Sequence, residues 1–144
     1  MPRRSKAEEL LEFEIGFYEK LVGAYPDFVD ALIPLGDAYT RRGLHDRGLA
    51  IDLRLTQLRN SDPMAWYNLA CSYSLLKRLD EALDALKHAF ALGYHDFEHL
   101  RSDPDLIHLR QSPKYRQLLE AFSSVPSAPS AKPSLGGPSG SPLV

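Results

Sequence analysis

Apolar residues recur along the middle of the chain at the spacing of an α-helix. The stretch AWYNLACSY, residues 65–73, puts four packing residues at positions i, i+3, i+4 and i+7, namely Trp66, Leu69, Ala70 and Tyr73. That spacing places them on one face of a helix. Asp62 and Pro63 precede the pattern, and they are an N-cap residue and a proline suited to the first helical position. The pattern predicts a helix that ends near Lys77.

A second apolar pattern follows directly and predicts a partner helix. Asp80 is positioned to cap this helix, and Gly93 to end it in a left-handed turn. Between them lie small and apolar residues at helical spacing: Ala82, Leu83, Leu86, Ala89 and Leu92. Residues 63–96 therefore form a predicted helix–turn–helix unit.

The same unit occurs once more, 34 residues earlier. Shifting the chain by that period aligns residues of matching size, such as Leu32 with Trp66, Gly36 with Ala70, Tyr39 with Tyr73 and Leu49 with Leu83. A constant period over so many positions indicates stacked supersecondary units. The sequence predicts repeat one at residues 29–62 and repeat two at residues 63–96.

Different segments are expected at the two ends of these repeats. Ser5 and Glu8 form a capping box that starts a leading helix over residues 5–25. Residues 97–122 are predicted to form a C-terminal cap, which completes a helical domain over residues 5–122. Residues 123–144 are rich in Ser, Pro, Gly and Ala, and this composition predicts a disordered tail.

Composition narrows the class of protein further. The 144 residues are 44% hydrophobic and 25% charged, with a net charge of −2. A near-neutral chain does not favour nucleic acid as a partner, because phosphate binding needs a basic excess. A single cysteine implies no internal disulfide. The sequence contains no long uninterrupted apolar stretch of the kind that inserts into a membrane. We therefore expect a cytoplasmic protein.

The repeats resemble the tetratricopeptide repeat (TPR) family. WYNLACSY with Ala82 and Ala89 is similar to that family's first-helix motif followed by small second-helix residues, and LIPLGDAY with Gly43 and Gly48 is a second match. The resemblance implies an all-α, right-handed α-solenoid whose first helices line a concave, protein-binding groove. It also implies a scaffold or adaptor without catalytic activity.

If first helices line a groove, the residues beside their packing faces are the candidate partner-binding residues. These are Ile33, Asp37, Thr40, Tyr67, Asn68, Cys71 and Ser74. Their apolar, amide and hydroxyl groups suit an extended or helical peptide better than a strongly charged one. The alternative is a self-associating scaffold, a homo-oligomer joined through exposed helical faces.

Two features could indicate chemistry, and neither favours an enzyme. Cys71 lacks a histidine on its own helix to lower the pKa of its thiol, so we interpret it as a small groove residue and not as a nucleophile. His95 and His99 have the i, i+4 spacing of a metal pair, but Gly93 interrupts the helix just before them. We therefore expect no catalytic residues, no metal and no cofactor, with a metal-dependent enzyme at this loop as the competing hypothesis.

Overall fold

The computed structural model describes residues 3–123, and the regular elements in that range are all helical. The predicted tail lies outside the described residues, except for Ser123. Eight α-helices and one 3₁₀ segment follow each other along the chain: α1 Lys6–Ala24, α2 Val29–Arg42, α3 His45–Leu58, α4 Pro63–Leu75, α5 Leu79–Ala91, α6 Phe97–Ser102, the 3₁₀ segment Pro104–Leu106, α7 Ile107–Arg110 and α8 Pro113–Ser123.

The 34-residue period of the sequence is present in the helices. α2 and α4 begin 34 residues apart, and so do α3 and α5. Each long helix packs on the next one along the chain, from α1 through α5. An all-helical arrangement of sequence-adjacent pairs is therefore confirmed, while the right-handed solenoid stays a prediction.

Most predicted helix starts are confirmed by capping hydrogen bonds. The Ser5 hydroxyl accepts the backbone N–H of Glu8 at 3.1 Å, and the Asp62 carboxylate accepts that of Met64 at 2.9 Å. The predicted cap at Asp80 is wrong, because α5 begins at Leu79 and Asp80 lies within its first turn. A carboxylate there still suits the positive end of the helix dipole.

Three helices end in the same left-handed turn. Gly43, Lys77 and Gly93 have φ angles of 86°, 61° and 108°. In each turn the N–H of the following residue bonds to a carbonyl five residues back, at 2.8 or 2.9 Å. Lys77 lies 34 residues after Gly43, so the second repeat uses a residue with a side chain where the first uses glycine. That backbone conformation is strained for any L-residue with a Cβ atom.

Helix α2 has a glycine, Gly36, at the point where it approaches α3 closely. A Cβ atom added to Gly36 would lie 3.1 Å from Cγ2 of Ile51 on α3. Alongside this contact, α1 and α2 share a buried cluster of Ile15, Leu35, Ala38 and Tyr39. The small residue at position 36 thus lets α2 and α3 pack at short range.

The chain divides into two compact units. The first runs through Ser112 and contains α1 to α7, and the second begins at Pro113 and contains α8. The predicted C-terminal cap, residues 97–122, spans this division. Its role as one covering element stays a prediction, whereas α6, the 3₁₀ segment and α7 belong to the first unit.

Replacing Lys77 by glycine should stabilise the first unit. Lys77→Gly removes the strain of a Cβ atom in the left-handed conformation, and we expect the free energy of unfolding to rise by about 1 kcal/mol. The control Lys87→Gly lies at an exposed site inside α5 and should lower it by about 1 kcal/mol. Urea unfolding measures both changes, and a loss of stability in both variants would contradict this account.

Candidate functional site

A groove of about 550 Å³ opens in the first unit between helices α2 and α4 and the segment that follows α5. Each element contributes lining residues: from α2 Ile33, Pro34, Gly36, Asp37 and Thr40; from α3 Asp52 and Leu55; from α4 Met64, Tyr67, Asn68, Cys71, Ser72 and Leu75; and from the C-terminal segment His99, Asp103 and Asp105. We call this surface the groove.

The structure brings six of the seven sequence-predicted residues together in the groove. Ile33, Asp37, Thr40, Tyr67, Asn68 and Cys71 all line it. Ser74 does not, because its side chain is 0% exposed. Ser74 corresponds by the 34-residue period to Thr40, which is half-buried. α4 also packs against the 3₁₀ segment and α7.

Tyr67 forms the floor of the groove rather than an accessible contact residue. Its side chain is 2% exposed, and its ring stacks on that of Tyr94 with 4.4 Å between centroids. The hydroxyl donates a hydrogen bond of 2.5 Å to the Asp103 carboxylate. Burial raises the pKa of the Tyr67 phenol, so the hydroxyl stays a donor. The expectation that this ring points freely toward a partner is wrong.

Trp66 is less enclosed than its place in the packing pattern suggests. It is half-buried, and its ring stacks on His88 at 4.3 Å between centroids. The indole N–H donates to the backbone carbonyl of Asn60 at 2.9 Å. The neighbouring Tyr67 is more deeply buried because the segment after α5 covers its side of α4.

Asp103 joins the C-terminal segment to α4. One carboxylate oxygen accepts the Tyr67 hydroxyl, lies 3.7 Å from the Cys71 thiol and lies 3.2 Å from Nε2 of His99. The other oxygen accepts the backbone N–H of Asp105 at 3.0 Å. A buried carboxylate is tolerated when donors surround it in this way. Asp103 is not among the sequence-predicted groove residues, and its local signal in the sequence is the Asp-Pro pair that starts a helical turn.

The Cys71 thiol is not poised as a nucleophile. Burial raises its pKa well above the usual range, and the nearby Asp103 and Asp105 carboxylates raise it further. The thiolate is the reactive form of cysteine, so this environment disfavours reaction. Its side chain is 7% exposed, so the expectation that Cys71 faces a partner across the groove is wrong.

The histidine pair predicted as a possible metal site is not assembled. α6 begins at Phe97, so His95 precedes it, and Nδ1 of His95 lies 2.9 Å from the carbonyl of Gly93. His99 instead lies against Asp103. Potential ligand atoms of Cys71, Asp103 and Asp105 do lie within 4.8 Å of one another. A metal there would have to displace the donors already bound to Asp103.

Asp52 provides a second buried carboxylate at the groove. The hydroxyl of Ser72 donates a 2.5 Å hydrogen bond to it, from α4 to α3. Burial raises the pKa of Asp52 from 3.8 to about 6, while the Ser72 hydrogen bond lowers it in part. The carboxylate is therefore largely ionised at neutral pH and protonated in mild acid.

The ionisable lining of the groove is acidic. Four carboxylates line it, those of Asp37, Asp52, Asp103 and Asp105, together with His99. Among the described residues no lysine or arginine belongs to the lining, although Arg41 pairs with Asp37 at its edge, 2.8 Å away. Three of the four carboxylates come from α3 and the C-terminal segment, which the sequence analysis did not assign to the groove. A concave surface of this kind concentrates negative potential.

Comparison with known proteins gives one partial similarity. No family model matches the chain. A stretch of 59 residues is 48% identical to a part of a protein from Arabidopsis thaliana that is named as chloroplastic. The stretch covers 41% of this chain and 18% of that protein. The similarity therefore relates one segment of this chain to one segment of a considerably longer protein.

Within residues 3–123, no helix is both long enough and apolar enough to cross a membrane.

Removing the Tyr67 hydroxyl should destabilise the first unit. Tyr67→Phe leaves the buried Asp103 carboxylate with one donor fewer, and we expect the free energy of unfolding to fall by about 1–3 kcal/mol. Tyr73→Phe is the matched control, because the Tyr73 hydroxyl makes no hydrogen bond within residues 3–123. Denaturant unfolding compares the two variants, and equal effects would contradict the structural role of the Tyr67–Asp103 bond.

The raised pKa of Asp52 predicts a pH dependence of stability. The folded state holds the Asp52 proton more tightly than the unfolded state, so this contribution to stability is lost as pH rises from about 4 to about 6. Asp52→Asn removes that titration. Its stability relative to the parent should increase across this window by up to about 3 kcal/mol, as measured by denaturant unfolding at several pH values.

A companion variant provides a second check on Asp52. Ser72→Ala deletes the hydroxyl that favours the ionised carboxylate, so the folded-state pKa of Asp52, and with it the upper end of the pH window, should rise. If the difference between Asp52→Asn and the parent does not change with pH, Asp52 does not have the raised pKa.

Proposed function

We propose that the chain is a non-enzymatic interaction module of the TPR type, which binds a segment of another protein in the groove. The 34-residue spacing of its helix pairs supports the repeat assignment. A concave surface built from two helices and a covering segment supports binding of an extended or helical peptide. Such a module acts as a scaffold or adaptor.

The acidic lining is the observation that carries the choice of ligand. Carboxylates on both sides of the groove, without a lysine or arginine in the described lining, favour a peptide that bears Lys or Arg side chains. This differs from the sequence-based expectation of a weakly charged peptide. The difference comes from Asp52, Asp103 and Asp105.

The accessible part of the lining defines where such a peptide makes contact. Ile33 and Met64 expose apolar side chains that suit the stems of long cationic residues. Asn68 is half-buried, and its amide makes no hydrogen bond to other residues in the 3–123 range. Tyr67 and Cys71 lie beneath these positions and shape the floor.

The cellular location of this module stays a prediction. A cytoplasmic location was expected from the sequence, but the similar plant protein carries the word chloroplastic in its name. That similarity does not support a cytoplasmic location. A location in an organelle is the alternative proposal. Microscopy of the tagged full-length protein in its native cell distinguishes the two.

Selection from a display library of random peptides tests the proposed ligand class. The full chain should enrich peptides containing Lys and Arg, and synthetic copies of them should bind more weakly as salt concentration rises. Asn68→Arg places a positive charge in the groove and should weaken binding of these peptides about tenfold or more, as measured by fluorescence anisotropy.

A charge-matched control separates the groove from the rest of the surface. Gln57→Arg adds the same charge at an exposed site on α3 that does not line the groove. It should leave the affinity nearly unchanged. Enrichment of acidic peptides, no enrichment, or equal effects of the two variants would contradict the proposal.

A further inference from the structure

The outer face of α1 carries an exposed apolar stripe. Leu10, Phe13 and Phe17 follow each other at i, i+3 and i+7, and they are 60%, 68% and 49% exposed. The rings of Phe13 and Phe17 lie nearly parallel, with centroids 6.4 Å apart. We call these three residues the α1 stripe. Adjacent large apolar side chains at this exposure are typical of an interaction surface.

The α1 stripe lies on the side of α1 that faces away from α2. Leu11, Ile15, Tyr18 and Val22 occupy the opposite face and pack toward α2. In the 34-residue register α1 corresponds to α3, yet α3 packs on both α2 and α4, whereas α1 packs on α2. Among the elements of residues 3–123, one side of α1 thus has no packed helix of the kind that an inner helix has on both sides.

Some charged residues of α1 have partners on neighbouring helices, and others do not. Glu12, Glu14 and Glu19 face arginines of the neighbouring helices, at 2.9 Å from Arg42, 2.9 Å from Arg41 and 3.7 Å from Arg47. Glu9 and Lys20 are exposed, and neither forms an ion pair with any residue in the described range. At 100° per residue, these two lie on the same flank of the α1 stripe.

We propose that the α1 stripe binds the α1 stripe of a second copy of this chain, with the two helices antiparallel. With a two-fold axis at the level of Ile15, each Phe13 lies level with Phe17 of the second copy, so the four rings form one cluster. Each stripe covers the apolar surface of the other. This inference goes beyond peptide binding, because α1 contributes no described residue to the groove.

Charge complementarity selects both the second copy and the antiparallel direction. In this arrangement Glu9 and Lys20 of the second copy lie at nearly the same level along the helix axis. Their levels differ by one residue, which is about 1.5 Å. Residues on the same flank meet in a two-fold antiparallel helix pair, so two Glu9–Lys20 pairs form. In a parallel pair each flank faces the opposite flank of the other helix, so Glu9 and Lys20 would not meet across the interface and no Glu9–Lys20 pair would form.

Sedimentation equilibrium of the full chain over a wide range of concentration tests the dimer. The parent should show a monomer–dimer equilibrium, and Phe13→Glu should abolish it with unchanged circular dichroism, because Phe13 is exposed. Leu53→Glu, at an exposed apolar site on α3, is the control and should leave the dissociation constant unchanged. A parent chain that stays monomeric, or a dimer that survives Phe13→Glu, overturns the proposal.

A charge exchange tests the antiparallel pairing itself. Glu9→Lys and Lys20→Glu each replace two attractive contacts by two repulsive ones and should raise the dissociation constant about tenfold. The double variant Glu9→Lys/Lys20→Glu restores opposite charges and should dimerise like the parent. A double variant that is weaker than both single variants overturns the arrangement. A monomer destabilised by Phe13→Glu would show instead that the chain's own remaining residues cover the α1 stripe.

Discussion

The arrangement of the first unit depends on a buried carboxylate that ties the segment after α5 to helix α4. Asp103 accepts the Tyr67 hydroxyl and faces both the Cys71 thiol and the His99 ring. Burying a charged group costs free energy unless several donors surround it, so these contacts must form together. Their formation places the C-terminal segment over one side of α4, and that placement creates the far wall of the groove.

The same contacts give the groove its chemical character. The C-terminal segment brings the carboxylates of Asp103 and Asp105 to a surface that α2 lines with Asp37 and α3 with Asp52. It also covers Tyr67, so that this ring stabilises the fold while Asn68 and Ile33 stay accessible. The stability of the first unit and part of the acidic lining of the groove thus arise from one set of interactions.

The two ends of the series of packed helices differ in how much apolar surface they bury. After α5, the 3₁₀ segment and α7 pack on the inner helices, and Leu106 and Leu109 of these elements are buried, as is Leu100 of α6. Before α2, α1 buries one face through Ile15 and leaves Leu10, Phe13 and Phe17 exposed on another. Stacked helix pairs need a cover at each end. The exposed end is where a second copy can supply it, away from the groove.

The sequence by itself determined the helices and their order. Period-3.6 patterning, the caps at Ser5 and Asp62 and the glycine turns at positions 43 and 93 are local signals, and the structure contains each of them. Local signals also indicated that Ile33, Asp37, Thr40, Asn68 and Cys71 share one surface, because the 34-residue period relates α2 to α4.

Only the tertiary structure decided that Tyr67 and Ser74 are buried and that the groove is acidic. Those properties depend on where the segment after α5 folds back, and residues 32 to 36 positions apart in the chain meet there through contacts that no local pattern encodes.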